Sequence, residues 1–346
     1  MKNYNKTAFA RIFEDVTKQA RKLQTSEYRE IGKYVVIDQG QNDIAGYTDE
    51  KEGVFKDVPA IIFGDHTRVV KYVDSPCFLG ADGVKLLKAK TQNPNYKYLY
   101  YALSNANIPN TGYNRHFKWL KEVQIPLPSE LEQKKIVDTL DKISKLISLR
   151  KGQLAKLEQL VKSRFVELFG NKGYPEDNLL NLCNIIDYRG KTPEKVESGL
   201  PFITAKNVRM HQMNLEPREY ISKETYDKVM VRGFPKEGDV VFTTEAPLGN
   251  VCRIPHFDTE FYIGQRIVTM QTEKLEAIYL EYALSSDDFK TKYLGKSSGS
   301  MVTGIRVRLL EQLTIPVPPM ELQKQFATFV EQTDKSKLCG EMEVAA

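Results

Sequence analysis

From residue 136 to residue 168, apolar side chains return at alternating steps of four and three: Ile136, Leu140, Ile143, Ile147, Leu154, Leu157, Val161 and Leu168, with Arg150 and Arg164 at the two remaining seam positions. This is the narrow stripe of a coiled-coil face rather than the broad face of a core helix. Just upstream stands Ile125-Pro126-Leu127-Pro128. Proline has no N–H and restricts the residue before it, so the quartet is extended. Ser129 with Glu132 three positions later then opens a helix with a capping box. Phe169-Gly170-Asn171-Lys172-Gly173-Tyr174-Pro175 closes it with glycines and a proline. The pattern predicts a helix over 129–169, about 60 Å long, with Gly152 as its weak point.

The same text occurs again. "LKEVQIPLPSELEQKK" at 120–135 is echoed by "LEQLTIPVPPMELQKQ" at 310–325. Upstream, Tyr98-Leu99-Tyr100-Tyr101-Ala102-Leu103-Ser104 matches Tyr279-Leu280-Glu281-Tyr282-Ala283-Leu284-Ser285 at six of seven positions. Because that offset is 181 against 190 for the quartets, the second half carries nine extra residues before its quartet. The order is that of an internal duplication. After Pro318, Phe326, Phe329 and Val330 supply only one or two apolar turns, so the second arm is expected to be short. Between these landmarks, "GKYVVIDQG", "VPAIIFGDHTRVVKYVDSP", "GDVVFTTEAPLGNVCRIP" and "EFYIGQRIVTMQT" are β-branched and aromatic runs broken by Gly, Pro and Asp. They predict mixed α/β bodies rich in strands, without the spacing of a doubly wound sheet.

Composition changes this picture little. The chain has 346 residues, enough for two cores. No apolar run reaches the roughly 18–20 residues of a membrane span. The first residues lack the apolar stretch of a secretory signal, so the cytoplasm is the expected location. Net charge is +5 and unevenly spread: residues 1–128 carry 19 Lys+Arg against 14 Asp+Glu, while 170–318 carry 19 against 20. That mild excess permits binding to nucleic acid through local patches without arguing for it alone. Cys77, Cys183, Cys252 and Cys339 lie far apart, and His66, His116, His211 and His256 form no metal-binding pair. Neither a zinc site nor a disulfide framework is expected.

Catalytic signatures fail one by one. Gly190-Lys191-Thr192 and Gly295-Lys296-Ser297 end like phosphate loops, but Ile185 and Lys290 stand where the first glycine belongs. There is no GxGxxG and no GxSxG. The tetrapeptide that orients a base amine in amino-methyltransferases is absent; Asn93-Pro94-Asn95 is its nearest approach. Glu132-Gln133-Lys134 has half of a nuclease pattern, with no Pro-Asp to complete it.

What remains is a set of polar clusters at predicted strand ends. In the first half they are 38–41, 64–68, 80–83 and 112–116; in the second, 188–192, 206–209, 243–245 and 264–266. Gln, Asn and Arg bond to base edges, while Lys, Thr and backbone N–H groups serve phosphates. The candidate DNA-contacting residues are therefore Gln39, Gln41, Arg68, Tyr113, Asn114 and Arg115 in the first half. In the second they are Arg189, Lys191, Lys206, Asn207, Arg209, Thr244, Gln265 and Arg266.

On the repeated quartets, and on segments such as "VPAIIFGDHTRVVKYVD", "LGADGVKLLK", "FTTEAPLGNV" and "GQRIV", the chain resembles the specificity subunit of type I restriction-modification systems over nearly its whole length. The resemblance implies two target-recognition domains, at 1–128 and 170–318, related by a pseudo-twofold axis. Antiparallel helical spacers at 129–169 and 319–346 would join them. It implies a double-stranded DNA target in two halves, one read by each domain, with the spacers setting the gap. Two modification subunits would dock and restriction subunits would join them. S-adenosylmethionine, ATP and magnesium are expected on those partners, with no cofactor, metal or catalytic residue on this chain. The chain departs from the family in its short second spacer, which puts docking of the second modification subunit in question. Two other readings stay open: a coiled-coil interaction protein whose bodies bind no DNA, and a stand-alone methyltransferase or nuclease.

Overall fold

The computed structural model describes the chain except residues 1–3, 81, 189, 191–192, 299–302 and 346, and for 338–345 it describes the backbone alone. Two compact units emerge, Met1–Ser148 and Leu149–Ala346, and the division falls inside one long helix, Glu130–Phe169.

Each unit builds the same three sheets. In the first, a four-stranded antiparallel sheet runs in the order Phe13–Asp15, Val84–Ala89, Ala60–Gly64, Val70–Val73. A three-stranded sheet places Tyr34–Ile37 between Gly46–Thr48 and a parallel partner, Cys77–Leu79. Lys6–Ala8 pairs with Gln124–Pro126. In the second unit the corresponding orders are Asn184–Asp187, Ile267–Gln271, Val240–Thr243, Val251–Arg253; then Tyr220–Ile221, Leu200–Ile203, Tyr262–Ile263; and Glu176–Asn178 with Thr314–Pro316. The duplication read from the text is a duplication of topology. The second unit's extra length before its quartet includes an additional helix, Asp287–Lys296, which follows the repeated helix Ala277–Ser285.

The strands are apolar on both faces because each four-stranded sheet is covered on both sides. Side chains alternate along a strand. Ile61 and Phe63 accordingly join a core with Phe9, Leu99, Leu103 and Ile125, while Ala60 and Ile62 join another with Ile37, Cys77 and Leu79. Phe242 and Val241 divide between two cores in the same way. Burial pushes the thiols of Cys77, Cys183 and Cys252 up to about 12, leaving them as inert apolar filling.

The repeated sequence now has a physical meaning. Ile125 and Ile315 are buried. The Tyr98 hydroxyl donates to the Pro126 carbonyl at 2.6 Å, and Tyr279 donates to Pro316 at the same distance. Gln133 Nε2 donates to the Pro128 carbonyl at 3.0 Å, and Gln323 Nε2 to Pro318 at 2.8 Å. Tyrosine from the repeated helix thus clasps the first proline, and glutamine from the next helix clasps the second. At the helix start, the Ser129 hydroxyl donates to Glu132 Oε2 at 3.1 Å and lies 3.4 Å from the Glu132 N–H.

Glu130–Phe169 is one 40-residue helix. Within the first unit Lys97 and Tyr101 both donate to Asp141, at 2.6 and 2.7 Å, which holds that carboxyl below the usual range. Within the second, Phe165 and Phe169 meet Tyr279, Tyr282 and Phe326 in an aromatic cluster. The predicted seam is unevenly covered. Val161 is buried, Ile136, Leu140, Ile147, Leu154, Leu157 and Leu168 are half-buried, and Ile143 is exposed. A second apolar set on the helix, Leu146, Leu149 and Leu160, is 50–60 % exposed.

The second arm is shorter, as expected, but it does not end after two apolar turns: Met320–Ala345 is a continuous helix of 26 residues. Phe326, Ala327, Val330 and Thr333 keep one face buried. Along the helix the hydroxyls bond back one turn, Thr333 to Phe329 O at 2.9 Å and Ser336 to Gln332 O at 3.1 Å, so they need no partner outside it. Phe326 lies against Phe165 and Phe169, whereas Ser336 shares a groove with Leu154 and Leu157, so the two helices run antiparallel. Among the described residues no helix is long and apolar enough to cross a membrane.

Two substitutions test this account by urea unfolding. Tyr279→Phe strands a proline carbonyl in a buried setting and is expected to lower stability by about 1–3 kcal/mol. Gly152 has open space where a Cβ would stand, so Gly152→Ala is expected to raise stability by up to about 1 kcal/mol. An unchanged Tyr279→Phe midpoint would remove the clasp's energetic role.

Candidate nucleic-acid interface

In each unit the polar clusters are brought together by the parallel strand pair. Parallel strands end on the same side, so the chain leaving Ile37 and the chain leaving Leu79 emerge as neighbours, and Gly80 N donates to Ile37 O at 2.8 Å. The second unit repeats this bond, Gly264 N to Ile203 O at 2.7 Å.

In the first body, 38–41, 64–68, 80 with 82–83, and 112–116 form one connected rim. Gln39 accepts from His66 N through Oε1 and donates to Asp82 O through Nε2, both at 3.1 Å. Thr67 donates to the Gln39 carbonyl at 2.6 Å. Asp65, buried, accepts from Phe117 N at 2.7 Å through its carboxylate, and its carbonyl accepts from His116 N at 2.8 Å and Nδ1 at 2.9 Å. Lys71 lies beneath, its buried ammonium bonded to Asn42 O at 2.5 Å and 3.5 Å from Asp38. Gly83 takes φ 86°, and a Cβ there would stand 2.7 Å from the Gln39 amide.

The second body gathers 204–207, 243–245 and 264–266. Thr244 N donates to Arg266 O, and the Thr244 carbonyl accepts from Ile305 N, both at 2.9 Å. Asp65 bridges two segments in the same way in the first body, with Gly83 and His116. Arg266 Nε pairs with Glu245 at 2.9 Å.

A family model described as "Type I restriction modification DNA specificity domain" matches this chain twice, over residues 4–159 and 172–339. The chain belongs to the type I restriction-modification DNA specificity family. Among similar proteins are the MjaVIII specificity subunit of Methanocaldococcus jannaschii, 26% identical over 74% of this chain and 69% of that one, and the EcoR124I/EcoR124II specificity subunit of Escherichia coli, 23% identical over 90% and 82%. The fold resembles the S subunit from M. genitalium, with a TM-score of 0.60 at 17% identity, covering 99% of this chain and 92% of that one.

Within this specificity fold the sequence-derived candidates separate. Gln41, Arg115, Lys206 and Arg209 are exposed, Gln265 is half-buried, and none of their side chains makes a hydrogen bond or ion pair among the described residues. Tyr113 and Asn114 are also exposed, Asn114 bonded back to Thr111. Arg68 spends one nitrogen on Ile108 O at 3.1 Å, and Arg266 is paired with Glu245. Three further candidates are bonded within their own body. Asn207 is 1% exposed, accepts from Thr204 N and Oγ1 and donates to Asn214 O and Pro217 O. Thr244 is buried, and its hydroxyl donates to Arg266 O at 3.3 Å. Gln39 uses both ends of its amide internally. Asn207 and Thr244 are buried, where a polar side chain must find a protein partner, and half-buried Gln39 ties residue 66 to residue 82. Arg189 and Lys191 lie outside the described residues. The sequence reading missed the anchoring pair Asp65 and His116. Both lie in the quoted clusters, but nothing local distinguishes a buried polar residue from an exposed one.

Asn207→Ala is expected to cost about 3 kcal/mol in urea unfolding through the stranded loop groups. Lys206→Ala with Arg209→Ala is expected to stay within about 0.5 kcal/mol of wild type. In a DNA-binding titration the same pair should lower the salt slope by about 1 for each phosphate that a removed cation had neutralised. An unaltered slope would exclude these two cations from the interface.

Proposed function

We propose that this chain is the non-catalytic target-reading subunit of a type I restriction-modification complex working in the cytoplasm. Each body recognises one half of a split DNA sequence, and the helices set the gap. The observation that carries this is the duplicated rim: two bodies of one topology, each with its strand-end loops joined by equivalent hydrogen bonds and each presenting exposed cations. One body would suffice for a continuous target; two copies fit a divided one. The exposed or half-exposed side chains of the right chemistry to read base edges or hold phosphates are Gln41, Asn114, Arg115, Lys206, Arg209 and Gln265.

The long helix supplies the scale. Forty residues span about 60 Å, against about 34–36 Å for one turn of B-DNA. Its exposed Leu146, Leu149 and Leu160, interspersed with Lys142, Lys145 and Lys156, support docking of the modification subunits along this helix. Those subunits bring S-adenosylmethionine, and restriction subunits bring ATP and magnesium. The interaction-protein reading is absorbed here: the helix holds partners while the bodies read DNA.

Methylation sequencing in cells that hold the full complex tests the proposal. Four residues inserted after Leu157 add about 6 Å of rise, close to two base-pair steps. The expected result is a gap longer by about two base pairs between unchanged half-sequences. The original gap would refute the ruler.

A further inference from the structure

The turn at 112–114 of the first body carries Tyr113, whose side chain is 86% exposed. Its ring is nonetheless fixed in place, because it lies on His66 with centroids 4.7 Å apart and planes 10° apart. His66 is itself held. Gln39 bonds its backbone N–H at 3.1 Å, and a Cβ on Gly83 would stand 2.8 Å from its Cδ2. Its Nδ1 is shut away from solvent with no hydrogen-bond partner among the described residues. An unpaired buried nitrogen opposes folding, so the imidazole is held there by its face rather than by its N–H. Below the turn, Asn114 Nδ2 donates to Thr111 O, and Thr111 N lies 3.4 Å from Nε2 of the buried His116. Beside it stands Arg115, exposed and unpaired among the described residues. The result is a rigid finger with one aromatic face backed and the other open, next to a cation.

We propose that this finger is a base-stacking platform: Tyr113 covers the face of a base uncovered within the first half-target, and His66 is the residue that positions it. The inference rests on the DNA-reading function above. In an intact duplex each base face is covered by its neighbours, and only edges are open to side chains. An aromatic face held flat and outward has nothing to meet there. Chemistry on a base amino group requires that base to leave the stack, which exposes the faces of its neighbours. An aromatic ring placed against such a face restores the missing stacking and is indifferent to which base it covers. Tyr113 would then contribute opening of the duplex, while its neighbours Asn114 and Arg115 contribute edge and phosphate contacts.

The test uses the chain assembled with its modification subunits and a duplex of its mapped target, with pyrimidines of the first half replaced one at a time by 5-iodopyrimidines. Ultraviolet crosslinking followed by peptide mapping is expected to place a crosslink on Tyr113. Tyr113→Ala should abolish it and weaken target binding by about 10- to 100-fold, while Tyr113→Phe stays within about twofold. His66→Ala should diminish the crosslink and His66→Phe restore it, a rescue that a merely structural histidine would not show. Tyr113 is exposed, so folding is not at stake. Target binding retained by Tyr113→Ala, with crosslinks elsewhere in the first body, would overturn the platform. A complex with no preference for any target would instead overturn the DNA-reading function beneath it.

Discussion

Everything in this protein hangs on how a recognition body is joined to a helix. A flexible joint would let the helix swing against the body it leaves. The joint is built from four parts: a buried isoleucine, a tyrosine hydroxyl on the first proline carbonyl, a glutamine amide on the second, and a short strand that pairs the quartet with the start of its body. Proline fixes the backbone and leaves its carbonyl as the group to be satisfied. In the second copy, Gln323 also accepts from Glu276 N at 2.9 Å, tying the next helix to the start of the repeated one. Side-chain hydrogen bonds define direction better than apolar contact alone, which is non-directional.

The bodies solve a related problem. A four-stranded sheet covered on both faces has little freedom, so the strand ends become fixed points from which loops depart. Pairing Tyr34–Ile37 with Cys77–Leu79, and Leu200–Ile203 with Tyr262–Ile263, in parallel sends two loops out side by side. The rim is then stitched by polar residues: buried Asp65 and His116 with half-buried Gln39 in one body, buried Asn207 and Thr244 in the other. The stitching is equivalent in its backbone bonds and different in its side chains. The frame is thus common to both bodies while the side chains on it differ.

The balance between frame and surface also explains which candidates were legible. Prolines, capping residues and seam periodicity act over a few positions, and their effect can be read locally. The helix at 129–169 and the duplication were visible for that reason. Gln39, Asn207 and Thr244 have the composition of DNA-reading side chains, yet their polar groups bond within their own body. Whether an amide bonds a base or its own loop depends on partners such as Asp82, Pro217 and Arg266, which only folding brings near. The C-terminal helix shows the same limit in the other direction. Its apolar residues thin out after Val330, yet one face stays buried through Thr333 and the helix runs on to Ala345.

By itself, then, the sequence determined the two-part plan, the long helix, the extended quartets and the strand-rich character of both bodies, because each depends on neighbours within a turn or two. Only the tertiary structure decided which polar residues are free, which are buried as stitches, and that His66 backs an exposed Tyr113. Those properties are set by contacts between segments tens of residues apart, and no periodicity along the chain encodes them.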